Sequence, residues 1–374
     1  MSGGVDSSTA AWFLKEEGYE VIGATMCIGT MDKVQGGPAR CCGLADIEDA
    51  RRVALQLEIP FYVFHLREEF EKEIIHYFCE EYAKGRTPNP CILCNEKVKF
   101  GSFLRMALEL EADFIATGHY ARLDFEERTG RYFLRKGVDG RKDQSYVLFS
   151  LTQEQFRRTL FPLGKSRKEE VREKAFQLGL RVHDKPESQE VCFIRESSYH
   201  SFLSERLEKS FGPGPIVDQD GKVLGKHKGI PFYTIGQRRG LRLAKGKPLY
   251  VIRIDREKNM IVVGGEEEVY GDTFIVDSLN WIVPREMVPI HHTQVKIRYN
   301  HPGSEASISP RGEDELEVKF KFPQKAITPG QAAVFYDGET VLGGGWIKEI
   351  VRSDEFRVKN SGVRIQKKEV RRDN

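Results

Sequence analysis

The chain has 374 residues, more than one hydrophobic core usually organises, so two or three domains are expected. With 40% hydrophobic and 30% charged residues and a formal net charge of +2, the composition excludes a fibrous or disordered chain, and bulk charge alone announces no polyanion partner. No apolar run approaches the roughly 18 residues of a membrane span and the start is not that of a signal peptide, while seven scattered cysteines suit no disulfide framework, so a cytoplasmic protein with reduced thiols is expected.

In chain order, residues 9–17 read as a helix stopped by Gly18, 21–26 as a strand, 46–57 as a second helix and 61–64 as a second strand. Phe70, Ile74, Phe78 and Tyr82 then recur at helical spacing. Asn95 is expected to cap a helix carrying Phe100, Phe103, Leu104 and Leu108, ahead of a strand at 114–117 and a turn at Gly118-His119. Ser166 and Glu169 make a capping-box pattern for a helix that Gly179 ends. This βαβ rhythm predicts an α/β, doubly wound parallel sheet. Beyond Gly212-Pro213-Gly214-Pro215 the pattern turns to short β segments at 250–254, 260–263, 293–299, 316–322 and 332–336, separated by Gly, Asp-Gly and Pro. The expected division is a catalytic domain at 1–195, a small central domain at 196–272, a β-barrel at 273–352 and a charged tail at 353–374.

Ser2-Gly3-Gly4-Val5-Asp6-Ser7-Ser8 sets two glycines, three hydroxyls and a carboxylate at the mouth of a helix. Glycines let backbone N–H groups close on an anion, the helix end favours negative charge, and Asp6 is suited to hold Mg²⁺. No Gly-Lys-Ser/Thr follows, so this is not a Walker A loop. The string resembles the pyrophosphate loop (PP-loop) of the Rossmann-like ATP-pyrophosphatases, which split ATP into AMP and pyrophosphate while adenylating a carbonyl oxygen. Such a loop follows the first strand of its sheet and only Met1 precedes it here, so codons for an apolar strand are expected upstream.

Cys91-Ile92-Leu93-Cys94 stands at an expected helix start after Pro88 and Pro90, a position that favours thiolates. Cys192 lies far downstream between Val191 and Phe193, a setting that suits a buried strand residue as well as a reactive one. Cys79 shares a helix face with Ile75 and Tyr82 and is expected in the core. Cys41-Cys42 suits a packed loop, or a structural zinc shared with Cys91 and Cys94, although paired Cys-x-x-Cys knuckles are absent.

Five strings now occur in one order: Asn89-Pro90-x-x-x-Cys94-Asn95, Ala116-Thr117-Gly118-His119-Tyr120-Ala121, Lys142-Asp143-Gln144-Ser145-Tyr146, Ser188-Gln189-Glu190-Val191-Cys192-Phe193 and Gly236-Gln237-Arg238-Arg239-Gly240. In order and spacing they resemble the tRNA-specific 2-thiouridylase family over nearly the whole chain. The resemblance implies ATP-dependent 2-thiolation of the wobble uridine of a tRNA, with Cys192 carrying a persulfide, Cys94 as the second catalytic thiol and a Cys94–Cys192 disulfide left behind. It implies ATP contacts at Gly118 and Met26 besides the loop. It implies tRNA contacts at His119, Lys142, Asp143, Gln144, Arg298, Tyr299 and Gln331, and recognition of the base by Asn89, Pro90 and Cys91. Many members carry Asp where Cys91 stands, so Cys91, Cys94 and Cys192 are also weighed as ligands of a [4Fe–4S] cluster. A cysteine desulfurase or relay protein is the implied sulfur source.

Between residues 221 and 252 there are eight Lys or Arg and no Asp or Glu, interleaved with Phe232 and Tyr233. Arg238 and Arg239 between glycines are expected to reach the tRNA backbone. Two other readings stand beside the thiouridylase: another PP-loop ATP-pyrophosphatase making an amide or a nucleotide, and a non-catalytic zinc or Fe–S RNA-binding module.

Overall fold

The computed structural model describes residues 1–29, 44–186, 191–194, 199–207, 211–243 and 247–351. Cys41, Cys42, residues 188–190 and the charged tail lie outside them.

Helix α1 (Val5–Glu16) begins earlier than the apolar spacing suggested, because the loop's own side chains nucleate it: Ser8 Oγ and Ser7 Oγ donate to Gly4 O at 2.9 and 3.2 Å. Strand β1 (Gly23–Cys27) pairs in parallel with β2 (Phe61–His65), and α2 (Leu44–Gln56) lies between them in the chain. Main-chain atoms of Met1 bond to Ala24 O and to Thr25 Oγ1, so residue 1 runs beside β1. Helices α3 (Arg67–Phe70) and α4 (His76–Ala83) are joined by a π-helical turn at Glu71–Ile75. Helices α5 (Pro90–Leu93) and α6 (Phe103–Glu109) flank a longer π-helical stretch, Cys94–Ser102.

Strand β3 (Ile115–Ala116) pairs in parallel with β6 (Thr159–Leu160). Between these two lie a hairpin, β4 (Ala121–Glu126) and β5 (Arg131–Lys136), and helix α7 (Gln153–Arg157). Helix α8 (Lys168–Gln177) packs on α1, burying Val5, Ala10 and Ala11 with Val171 and Ala175. The cap of α8 is one residue later than expected. Arg167 N donates to Glu170 Oε2 at 2.7 Å, since Glu169 is held by Arg141 at 2.7 Å. Helix α9 (Tyr199–Arg206) follows.

The central module is one sheet of β7 (Gly214–Val217), β8 (Val223–His227), β9 (Tyr250–Asp255) and β10 (Met260–Gly264) in the order β8-β7-β10-β9. The last module contains β11 (Tyr270–Trp281), β12 (Thr293–Lys296), β13 (Ser304–Arg311), β14 (Glu315–Lys325), β15 (Ala332–Asp337) and β16 (Thr340–Val351). They run β11-β14-β13-β12-β15-β16, and β16 pairs back on β11, which closes a six-stranded barrel and leaves no open edge. Its interior is filled by Phe274, Val276, Val295, Val318, Phe335 and Ile347. The β4–β5 hairpin belongs to the first module in sequence but extends the barrel sheet through Thr340 opposite Arg135. Among the described residues no helix is long and apolar enough to cross a membrane.

Candidate active site

The loop Ser2 to Ser8 turns at Gly3, whose φ of 69° favours glycine; a Cβ there would meet Asp46 O at 2.3 Å. Ser7 Oγ accepts from Ser2 N at 3.0 Å, closing the loop across the helix mouth. Val5, Asp6, Ser7 and Ser8 form the first turn of α1, so their N–H groups and the positive end of the helix face the space an anion would enter. Gly118 lies flat against this turn. A Cβ on it would stand 2.8 Å from Asp6 C and 2.9 Å from Ser7 N.

Asp6, the carboxylate expected to hold Mg²⁺, has its own protein partners. Its Oδ1 accepts from Tyr120 Oη at 2.7 Å, and Lys168 Nζ, nearly buried, bonds both carboxylate oxygens at 2.7 Å. On the other side of the loop Lys185 Nζ donates to Gly3 O at 2.9 Å, Asp46 Oδ1 at 2.7 Å and Asp49 Oδ2 at 2.7 Å. Neither lysine is recognisable as a loop partner from sequence, because each comes from an element more than a hundred residues away.

The second half of the site is the helical run that starts at α5. Asn89, not Asn95, is the cap: its Oδ1 accepts from Cys91 N at 3.2 Å, with Pro90 at the first helical position. Asn95 lies inside the run, buried, and donates Nδ2 to Val147 O at 2.8 Å. Cys91 is thus in the first turn, yet its thiol is not the lowered one the helix start suggested. Packing around its sulfur raises the pKa, Lys99 pulls it down and the nearby Cys192 thiol opposes that pull. Cys94 opens the π-helical stretch and packs on the cluster of Leu66, Phe70, Ile74, Ile75 and Val98. Phe193, next to Cys192, and Met26 rest on the same cluster. Phe193 meets the rings of Phe70 and Phe78 at 5.7 and 5.2 Å. Cys192 itself is exposed rather than buried in a strand. Cys79 is part of this packing as expected, and burial pushes its thiol up to about 11.

Among the described residues no group of three or more His, Cys, Asp or Glu is gathered to hold a metal ion. His119 is buried beside Phe100 and Phe161, with Nδ1 2.8 Å from Thr117 Oγ1. Burial holds its pKa well below 6.5, with Lys99 adding to the effect, so the ring is neutral near pH 7.

The remaining expected residues divide into two groups. Arg238 and Arg239 are exposed on the turn between Gly236 and Gly240, and Tyr299 is 38% exposed. Asp143, by contrast, is buried and accepts from Gly137 N, Ser145 N and Ser145 Oγ at 3.2, 3.0 and 3.1 Å. Gln144 Oε1 accepts from Tyr120 N at 3.0 Å, and Arg298 Nη1 donates to Lys325 O at 2.9 Å. Gln331 Nε2 donates to Thr87 O at 2.8 Å, just ahead of Asn89. Lys142, beside Asp143, is half-exposed.

Residues 1–196 match the model of the tRNA methyl transferase HUP domain, 200–265 that of its PRC-barrel domain and 271–347 that of the aminomethyltransferase beta-barrel domain. The first match, with the loop at the mouth of α1, defines a HUP-fold, PP-loop nucleotide-binding protein. The chain is 50% identical over 350 residues to tRNA-specific 2-thiouridylase MnmA of Halothermothrix orenii, covering 93% of this chain and 98% of that one. It is 52% identical to the protein of the same name from Heliobacterium modesticaldum, covering 93% and 91%. The chain belongs to the tRNA-specific 2-thiouridylase family.

Proposed function

We propose that the protein replaces the C2 oxygen of the wobble uridine of tRNA by sulfur, using ATP at the Ser2–Ser8 loop and the thiols of Cys94 and Cys192. The observation that carries this reading is the packing of Cys94 and of Phe193, the neighbour of Cys192, on one apolar cluster with Met26. Gly118 closes on the phosphate loop from the adjoining strand end.

A uracil C2 carbonyl is a poor electrophile, so its oxygen first attacks the α-phosphorus of ATP and pyrophosphate leaves. The first-turn N–H groups of α1 and the hydroxyls of Ser2, Ser7 and Ser8 hold the phosphates, with Gly118 and Met26 bounding the adenosine side. The terminal sulfur of a Cys192 persulfide adds at C2 and AMP departs with the oxygen. Cys94 thiolate then attacks Cys192 Sγ, the S–S bond to the transferred sulfur breaks, and 2-thiouridine leaves a Cys94–Cys192 disulfide that a thiol reductant reopens. A cysteine desulfurase or relay protein supplies the persulfide. Mg²⁺ bound with ATP would be held by Asp6, beside Lys168 and Tyr120, and would neutralise charge on the phosphates.

On the nucleic-acid side, Asn89, Pro90 and Cys91 face the splayed base, and His119, Lys142, Arg298, Tyr299 and Gln331 border the anticodon arm. Asp143 and Gln144, which also shape the 137–145 turn, border the arm beside Lys142. Arg238 and Arg239 meet the backbone from the central module. The reading keeps the divisions near 195, 272 and 352 and a cytoplasmic location.

The test is nucleoside mass spectrometry of tRNA incubated with the protein, Mg-ATP, a desulfurase with cysteine, and reductant. The expected result is 2-thiouridine with AMP and pyrophosphate, lost in Cys94→Ser and in Cys192→Ser while the fold persists. Absence of 2-thiouridine from a folded wild-type enzyme, or normal turnover by either serine variant, overturns the reading.

A further inference from the structure

We propose that Lys185 is a positioning residue that couples the phosphate loop to the segment carrying Cys192, so that ATP is spent only when the sulfur is in place. Its ammonium has three protons and three acceptors: Gly3 O at 2.9 Å, Asp46 Oδ1 at 2.7 Å and Asp49 Oδ2 at 2.7 Å. Gly3 is the pivot of the phosphate loop, at a φ of 69° and so close to α2 that an added Cβ would stand 2.3 Å from Asp46 O. Lys185 therefore ties three things at one point: the loop's pivot, the first turn of α2 and the start of the segment that ends at Cys192. Arg172 holds the same stretch from α8, donating to His183 O at 2.8 Å and Lys185 O at 3.3 Å. The far end of the segment is set by Phe193 against Phe70 and Phe78. Lys185 and Phe193, described residues on the two sides of Cys192 in the chain, are thereby each fixed on a wall of the site, one at the ATP end and one at the thiol end.

Charge gives the lysine a second task. Asp46 and Asp49 are about a third exposed, and both stand beside a loop that must take a polyphosphate. With Lys185 present the trio is −1; without it the pair is −2 and repels the incoming anion. An apolar side chain at 185 also frees Gly3 O and releases the near end of the Cys192 segment.

This inference rests on the thiouridylase reading. An adenylated uridine has two fates: the persulfide sulfur displaces AMP to give 2-thiouridine, or water adds at C2 and AMP leaves, regenerating uridine. Both consume one ATP, so the ratio of AMP to 2-thiouridine measures whether the sulfur is positioned when activation occurs.

The experiment measures that ratio, KM for ATP and Tm on full-length wild type, Lys185→Met, Lys185→Arg and Asp49→Asn. Wild type should give a ratio near one. Lys185→Met should raise the ratio tenfold or more and raise KM for ATP several-fold, Lys185→Arg should restore most of the coupling, and Asp49→Asn should raise the ratio modestly while lowering KM for ATP relative to Lys185→Met. A ratio unchanged in Lys185→Met, whether or not Tm or total rate falls, overturns the proposal. Should Lys185→Met fail to fold, an unchanged ratio in Asp49→Asn overturns it instead. A wild type that forms no 2-thiouridine at all counts against the reaction assigned and not against Lys185.

Discussion

Asp6 and Lys168 form the ion pair closest to the phosphate loop, with side-chain exposures of 31% and 7%. The carboxylate accepts three hydrogen bonds, two from Lys168 and one from Tyr120. Deleting the ammonium leaves an anion uncompensated at the mouth of an anion site. Lys168→Met should therefore cost about 2 kcal/mol of stability, below the value for a fully buried pair because Asp6 is partly solvated. It should also raise KM for ATP. Adding Asp6→Asn should recover part of the stability, which urea titration of the single and double variants checks. Three buried histidines, His119, His227 and His301, make a second residue-scale prediction. Burial lowers the pKa of each below 6.5. The unfolded chain takes up the proton first, so their stabilising contribution is complete above pH 6.5 and is lost as pH falls below it. Each group should cost up to about 1.4 kcal/mol per pH unit in that window. Urea midpoints should drop between pH 7.5 and 5.5, and His227→Gln should flatten the slope; a midpoint independent of pH refutes this.

Among elements, the run from α5 to α6 shows what local sequence specifies. Asn89-Pro90 is a cap followed by a first-turn proline, and both are physical requirements confined to four residues. Asn89→Ala should cost about 1 kcal/mol and Asn89→Asp much less, because Asp keeps an acceptor for Cys91 N. Thermal melts of the two variants separate the cap from the amide. The π-helical stretch Cys94–Ser102 was not legible, since 3.6- and 4.4-residue periods differ little over two turns. Its cause lies outside the segment: Gln155 Nε2 bonds Glu96 O and Phe100 O at 3.0 and 2.9 Å, and Asn95 is held by Val147. The phosphate loop and the apolar repeat Phe70, Ile74, Phe78 were legible for the same reason the cap was. Lys168, Lys185 and the place of the β4–β5 hairpin on the barrel were not, because the partners are remote in the chain and a lysine or a hairpin strand carries no mark of what it will meet.

At the scale of the whole molecule, residues 85–89 are where all three modules meet, just ahead of Cys91. Thr87 N donates to Pro329 O at 2.9 Å and Arg86 Nη2 to Ile347 O at 3.3 Å, both on the barrel. Thr87 Oγ1 bonds Thr234 Oγ1 of the central module at 3.2 Å. On the proposed reading, RNA held by the outer modules would be registered on the segment assigned to the base. The turn with Arg238 and Arg239 is set in the same frame, since Gly236 N donates to Val251 O at 2.8 Å and a Cβ on Gly236 would stand 2.7 Å from Ala326 Cβ. The two guanidinium groups stay exposed. Exposed cations on a rigid turn contribute to binding by releasing counterions from phosphates, and contribute little to folding. Reversing both, Arg238→Glu with Arg239→Glu, should leave Tm within a degree or two. It should weaken tRNA binding and lower the magnitude of the slope of log K against log salt by about 1 to 2, one unit per lost phosphate contact. Filter binding across a salt series reads both quantities. An affinity that falls equally at every salt concentration would assign the loss to a disturbed fold, and an unchanged affinity would move the RNA path off this turn.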